Sequence, residues 1–131
     1  MKVEIWTLAD GENSVSLSVE IASTWWSRFK GLMLRKPLPE GRGLFLEKTN
    51  SIHMCFMRFA IDAIYFDGDY RVVKVVHHLH PWLGLSAAMK AKGCLEMKAG
   101  EAKRLGITAG MKKVRSEEWR CGTKIKSATD F

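Results

Sequence analysis

The side chains best suited to chemistry lie in Ser51–Asp67, SIHMCFMRFAIDAIYFD, where one histidine (His53), one arginine (Arg58) and one aspartate (Asp62) interrupt a mostly apolar run. An uncompensated charge in such surroundings costs several kcal/mol, roughly, so these groups are expected to meet one another, other polar groups or water. Arg28 and Arg35 add to the cations on offer, and an arginine fork satisfies both oxygens of a carboxylate. Arg35, His53, Arg58 and Asp62, with Glu96, therefore outline a pocket for a polar or anionic ligand. A simpler reading has Asp62 and an arginine pinning the fold. A histidine beside a carboxylate also holds the parts of an acid–base pair near neutral pH, so an enzyme using His53 and Asp62 is an alternative. No serine or cysteine sits in a recognised nucleophile elbow, and Cys55 lies inside the apolar run, which favours binding over catalysis.

Other donors carry less. In His77-His78-Leu79-His80 an extended backbone would put His78 and His80 on one face, two ligands where a metal needs more. Met54-Cys55-Phe56-Met57 could offer soft donors, but alternation groups Met54 with Ile52 and Phe56 as core. Cys55, Cys94 and Cys121 are odd in number, widely spaced and without a CxxC, which argues for reduced thiols over a disulfide framework or zinc site. Neither a metal nor a cofactor is expected. The formal charge is +7, and the first 22 residues set Lys2 against Glu4, Asp10, Glu12 and Glu20, so the positive excess lies in the remainder. Lys90, Lys92, Lys98, Lys103 and Arg104, then Lys112, Lys113, Arg115, Arg120, Lys124 and Lys126, with Trp82 and Trp119 nearby, make a basic surface that could favour RNA. A solvated face is the plainer account of it.

These residues need a scaffold, and the periodicities describe one. Met1 to Leu8 alternates, Gly11 to Ser14 turns, and Val15, Leu17, Val19 and Ile21 keep period two, giving a first hairpin. Ser23 or Thr24 caps a short helix from about Trp25 to Leu32, ended by Gly31, Pro37 and Pro39. Gly43–Leu46 is a buried strand. Ile61–Phe66 is a strand by its β-branched and aromatic content, Asp67-Gly68-Asp69 turns, and Tyr70–Val76 returns. The stretch from His77 to Gly93 reads as a loop. Gly93–Met97 is a strand, Glu101–Leu105 a short helix stopped by Gly106, and Lys112–Arg115 the last strand. Residues 116–131 read as a polar tail.

At 131 residues, 47% hydrophobic and 27% charged, the chain is of one-domain size and ordinary globular composition. No apolar run approaches the roughly 18 residues of a membrane helix, and the first residues lack the apolar core of a leader, so a cytoplasmic protein is expected. The pattern points to a β-rich α+β single domain over residues 1–115, built as a small mixed β-barrel or half-closed sheet with two short helices.

An ordered series of motifs resembles a known family. It runs through Arg28, Gly31-Leu32-Met33-Leu34-Arg35, Leu38, Gly43-Leu44-Phe45, Ser51-Ile52-His53, Met57-Arg58-Phe59 and Ile61-Asp62. It closes with Cys94-Leu95-Glu96-Met97, Ala99-Gly100 and Leu105-Gly106-Ile107. Over residues 21–114 it is similar to domain-of-unknown-function family 192, and to the subgroup with histidine and Met-Arg-Phe in the middle motif. The family's usual Gly-Asp in the last turn is Gly110-Met111 here. The resemblance implies a small mixed β domain and names no activity. The functional expectation is a non-catalytic binding or scaffolding module for a small anionic ligand or a protein partner, with RNA association as an alternative.

Overall fold

The computed structural model describes residues 2–24, 38–53, 59–80, 85–120 and 123–126. Among them, strands β1 (Lys2–Ala9), β2 (Ser14–Ala22), β3 (Arg42–Glu47), β5 (Ile61–Phe66), β6 (Val72–Leu79), β8 (Gly93–Lys98), β9 (Lys112–Arg120) and β10 (Thr123–Lys126) form one sheet. Its order is β10-β9-β1-β2-β3-β8-β5-β6. The short strands β4 (Ser51–His53) and β7 (Leu85–Ala87) pair with each other. The one helix of the described residues, α1, spans Glu101–Leu105.

Local chemistry explains the hairpins. In the β1–β2 turn the Asp10 carboxylate accepts the Asn13 and Glu12 N–H groups at 2.8 and 3.1 Å, and Gly11 supplies φ 101°. Asp67 does the same after β5, accepting from Asp69 N–H and Arg71 N–H at 2.9 and 3.0 Å. Strands β2 and β3 run parallel, while the other neighbouring pairs are antiparallel, so the sheet is mixed.

Alternation along the strands separates two cores. One face gathers Trp6, Leu8, Leu17, Val19, Phe45, Ile64, Phe66, Leu95 and Met97, covered by Ala102 and Ile107 of the α1 region. Trp6 meets the rings of Phe45, Tyr70 and Phe66 at centroid separations of 4.9, 5.7 and 5.8 Å. The opposite face gathers Leu44, Leu46, Ile61, Ala63, Tyr65 and Cys94.

The sheet is not closed into a barrel, which corrects one of the two architectures expected. Its edges are β10 and β6. The start of β6 is tied to the start of β9 and the turn before it by Val72 N–H to Met111 C=O at 2.7 Å, Gly110 N–H to Val72 C=O at 2.8 Å and Lys113 N–H to Tyr70 C=O at 2.9 Å. Lys113 reinforces the tie from a buried position, its ammonium 3.6 Å from the Tyr70 ring centroid and 4.5 Å from that of Trp6. Burial pushes the Lys113 pKa down, against the opposing pull of Glu4 and Glu47. A few bonds and a cation over two rings join β6 to the start of β9 there without a continuous ladder.

The predicted helix at about Trp25–Leu32 lies outside the described residues. Another expectation changes. The last strand runs on past Arg115 to Arg120, because β1 offers it partners irrespective of side-chain polarity: Trp6 pairs with Ser116, Ile5 with Glu117 and Val3 with Trp119. Backbone pairing, not an apolar pattern, makes that segment a strand.

Candidate functional site

Asp62 is fully buried, on the same face as Ile64 and Phe66 as its place in an extended strand requires. Its partners among the described residues are backbone amides. One oxygen, Oδ1, accepts the His78 N–H at 3.0 Å. The other, Oδ2, accepts the Gly100 N–H at 3.0 Å and the Ala102 N–H at 2.9 Å. Arg28, Arg35 and Arg58, the cations expected to meet it, lie outside the described residues. Three amide donors supply the hydrogen bonding that a buried carboxylate needs.

Each donor is presented by an irregularity in the chain. Opposite β5, Ile61 pairs with Leu79 and Ala63 with Val76, so the single residue Asp62 faces both His77 and His78. That is a β-bulge, with His78 at φ 52°. Gly100 stands before α1 at φ 94°, where glycine is at ease, and no side chain of its own caps the helix. Asp62 does that work from 38 and 40 residues away in sequence. The helix is pinned a second time through Glu101, whose carboxylate accepts the Gly41 N–H at 2.6 Å and the Arg104 guanidinium at 2.5 and 2.8 Å. The Arg104 hydrogen bonds hold the Glu101 carboxyl below the usual carboxylate range, against the effect of its burial and with help from Gly41.

Between the bulge and α1 lies a surface cleft of about 570 Å³, lined by His77, His78, Gly100, Ala102, Lys103, Gly106, Ile107 and Thr108. Asp62 holds both of its walls, the His78 backbone on one side and the helix start on the other. Two imidazoles, an ammonium and a hydroxyl border it, all exposed. The apposed donors suit an anion, and Asp62, sealed with its oxygens taken up by amides, is placed to position them.

The other proposed residues are placed differently. Glu96, 4% exposed, pairs with Ala63 and Leu44 and so projects from the opposite face of the sheet to Asp62. Beside it lie Tyr65 and Cys94, and the Tyr65 hydroxyl is 2.6 Å from the Ser86 hydroxyl on β7. Burial pushes the Tyr65 and Cys94 pKa values up, so both groups stay neutral. Cys94 is therefore a poor nucleophile. The backbone of His53 lies in β4, paired with Leu85, next to the Ile52–Ser86 pair. Arg35 and Arg58 lie outside the described residues. Asp62 and Glu96 are thus not brought into one pocket.

Among the described residues no group of three or more His, Cys, Asp or Glu side chains could hold a metal ion. None of the described helices is long and apolar enough to cross a membrane. The rings of Trp6, Phe45 and Phe66 are buried, which withholds them from base stacking. Sequence reasoning missed the cleft because backbone amides leave no residue-type signal. The faint traces were Ala99-Gly100 ahead of a capless helix and the doubled histidine at a strand end.

The described residues form a β-rich mixed sheet with a short helix over one face. Residues 6–114 match the DUF192 family, described as "Uncharacterized ACR, COG1430", and the chain belongs to that family. It is 32% identical over 103 residues to a UPF0127 protein of Pyrococcus furiosus, spanning 73% of this chain and 84% of that relative. A crystal structure from Sinorhizobium meliloti 1021, of a protein provisionally described as a transcription regulator, superposes with a TM-score of 0.78 at 20% identity, covering 90% of this chain and 94% of its own. A protein of unknown function from Novosphingobium aromaticivorans DSM 12444 gives 0.71 at 25% identity, covering 82% and 81%. The first of these structures is informative about fold alone.

Proposed function

We propose that this chain is a non-catalytic binding module whose ligand is small and anionic, seated in the cleft between the β6 bulge and α1. The observation that carries the reading is the Asp62 clamp. One buried carboxylate fixes the two walls that bring His77, His78, Lys103 and Thr108 to a common opening. A site held this way has its backbone walls in place before a ligand arrives, which lowers the entropic cost of association. Arg35, His53 and Arg58 belong to the proposal as further basic groups, on the strength of the motifs that carry them. A reduced, buried Cys94 fits the proposed cytoplasmic setting.

Amide-resolved NMR titration of the isotope-labelled chain with phosphate, acetate and benzoate tests the reading. Saturable shifts at His77, His78, Lys103 and Thr108 are expected with at least one anion, and Lys103→Ala is expected to weaken them. No saturable shift with any of the three would overturn it.

RNA association is the second reading, favoured by the exposed Lys74, Lys90, Lys92, Lys98 and Lys103. Such binding would fall steeply with added salt. Finding no association with a single-stranded RNA at low ionic strength removes it.

A further inference from the structure

We infer that the occupant of this cleft is an organic acid with an apolar body, its carboxylate at the histidine–lysine rim, and not an inorganic oxyanion. The inference rests on the anion-binding reading above and adds the class of ligand. Size is the first reason. The cleft measures about 570 Å³, whereas an oxyanion occupies only a few times the roughly 30 Å³ share of a water molecule. A phosphate would leave most of the space to solvent, while cavities of this size commonly enclose small organic ligands.

The distribution of atom types is the second. His77, His78, Lys103 and Thr108 are exposed, whereas Ala102 and Ile107, which also line the cleft, are buried, 0% and 2% accessible. Gly100 and Gly106 both line the cleft, and a Cβ built on either meets nothing within 4 Å. A lining that combines glycine backbone and aliphatic carbon with two imidazoles, an ammonium and a hydroxyl matches a ligand that is apolar in its body and charged at one end.

The test uses benzoate, its neutral isostere benzamide, acetate and phosphate on the intact chain, read by the same amide shifts and by calorimetry. Benzoate is expected to bind at least about tenfold more tightly than acetate or phosphate, which lack its apolar body, and than benzamide, which lacks its charge. Gly106→Asn serves as the steric probe, since asparagine tolerates a φ of 73° and its side chain meets open space. It is expected to weaken benzoate about tenfold and leave acetate unchanged, with the urea midpoint confirming an intact fold.

Phosphate or acetate equalling benzoate overturns the organic-acid inference and leaves the anion reading standing. Benzamide equalling benzoate shows that charge is irrelevant, and both fall. Benzoate binding that Gly106→Asn does not touch also overturns the inference, because the ligand body then lies elsewhere.

Discussion

Replacing Asp62 by asparagine separates a positioning carboxylate from a merely tolerated one. The side chain keeps its shape, but one acceptor oxygen becomes an NH₂ group. If the amide nitrogen takes the Oδ1 position it faces the His78 N–H, and if it takes Oδ2 it faces both Gly100 and Ala102. The better rotamer therefore keeps two hydrogen bonds and leaves His78 N–H confronting another donor. A hydrogen bond to a charged group contributes about 1.5–3 kcal/mol, and a buried donor left unmet costs about 1–3. Losing one bond outright and the ionic character of the other two puts Asp62→Asn at about 2–4 kcal/mol of lost stability. That is a large share of the roughly 5–15 kcal/mol of a typical domain. The assay is urea unfolding, with a lower midpoint expected at an unchanged slope. Native-state hydrogen exchange is expected to speed up at the His78, Gly100 and Ala102 amides before it does in β1 and β2. A variant within about 0.5 kcal/mol of the parent, the range of an ordinary surface change, would refute the clamp.

Two further perturbations probe the supports of the same region. Glu101 titrates below its ordinary range in the folded chain, so the stability it contributes is present above the unfolded carboxylate value of about 4.3 and is lost as pH falls through the lower folded value. Glu101→Gln should therefore differ most from the parent near neutral pH and converge with it in acid, as followed by urea midpoints from neutral pH downward; a pH-independent gap would count against the Arg104 pairing. At Gly93 a Cβ would overlap the Phe45 ring, so Gly93→Ala should cost about 1–3 kcal/mol by overpacking, and a thermal midpoint equal to the parent's would mean that the ring is free to move.

The elements that announced themselves did so through period two and turn chemistry. The β5 strand, its Asp67 turn and the β1–β2 hairpin follow from alternating apolar residues bounded by Asp and Gly, and Glu101–Leu105 follows from its flanking glycines. What periodicity could not supply was pairing between distant strands. The segment from Ser116 to Arg120 is polar, and it is a strand because β1 lies beside it with unpaired amides and carbonyls. Barrel closure was likewise out of reach, since the tie between Tyr70–Val72 and Gly110–Lys113 depends on where two loops end in space.

The candidate site divides along the same line. That Asp62 would be buried on the Phe66 face could be read from alternation, and the alternation of 61–66 and 93–98 is as regular as any in the chain. Whether Asp62 and Glu96 share a face could not be read, because it depends on which residue of β8 pairs with which of β5. Ala63 opposite Glu96 and Met97 opposite Asp62 send the two carboxylates to opposite sides, and a slip of one residue would have reunited them. The expectation of an arginine partner arose from residue types, since a charged group invites an oppositely charged one. Among the described residues three backbone amides meet that need with donors that every non-proline residue possesses. Those amides carry no net charge, so they satisfy the Asp62 oxygens without adding any, and the His77 and His78 imidazoles and the Lys103 ammonium stay exposed at the cleft, where a ligand can reach them.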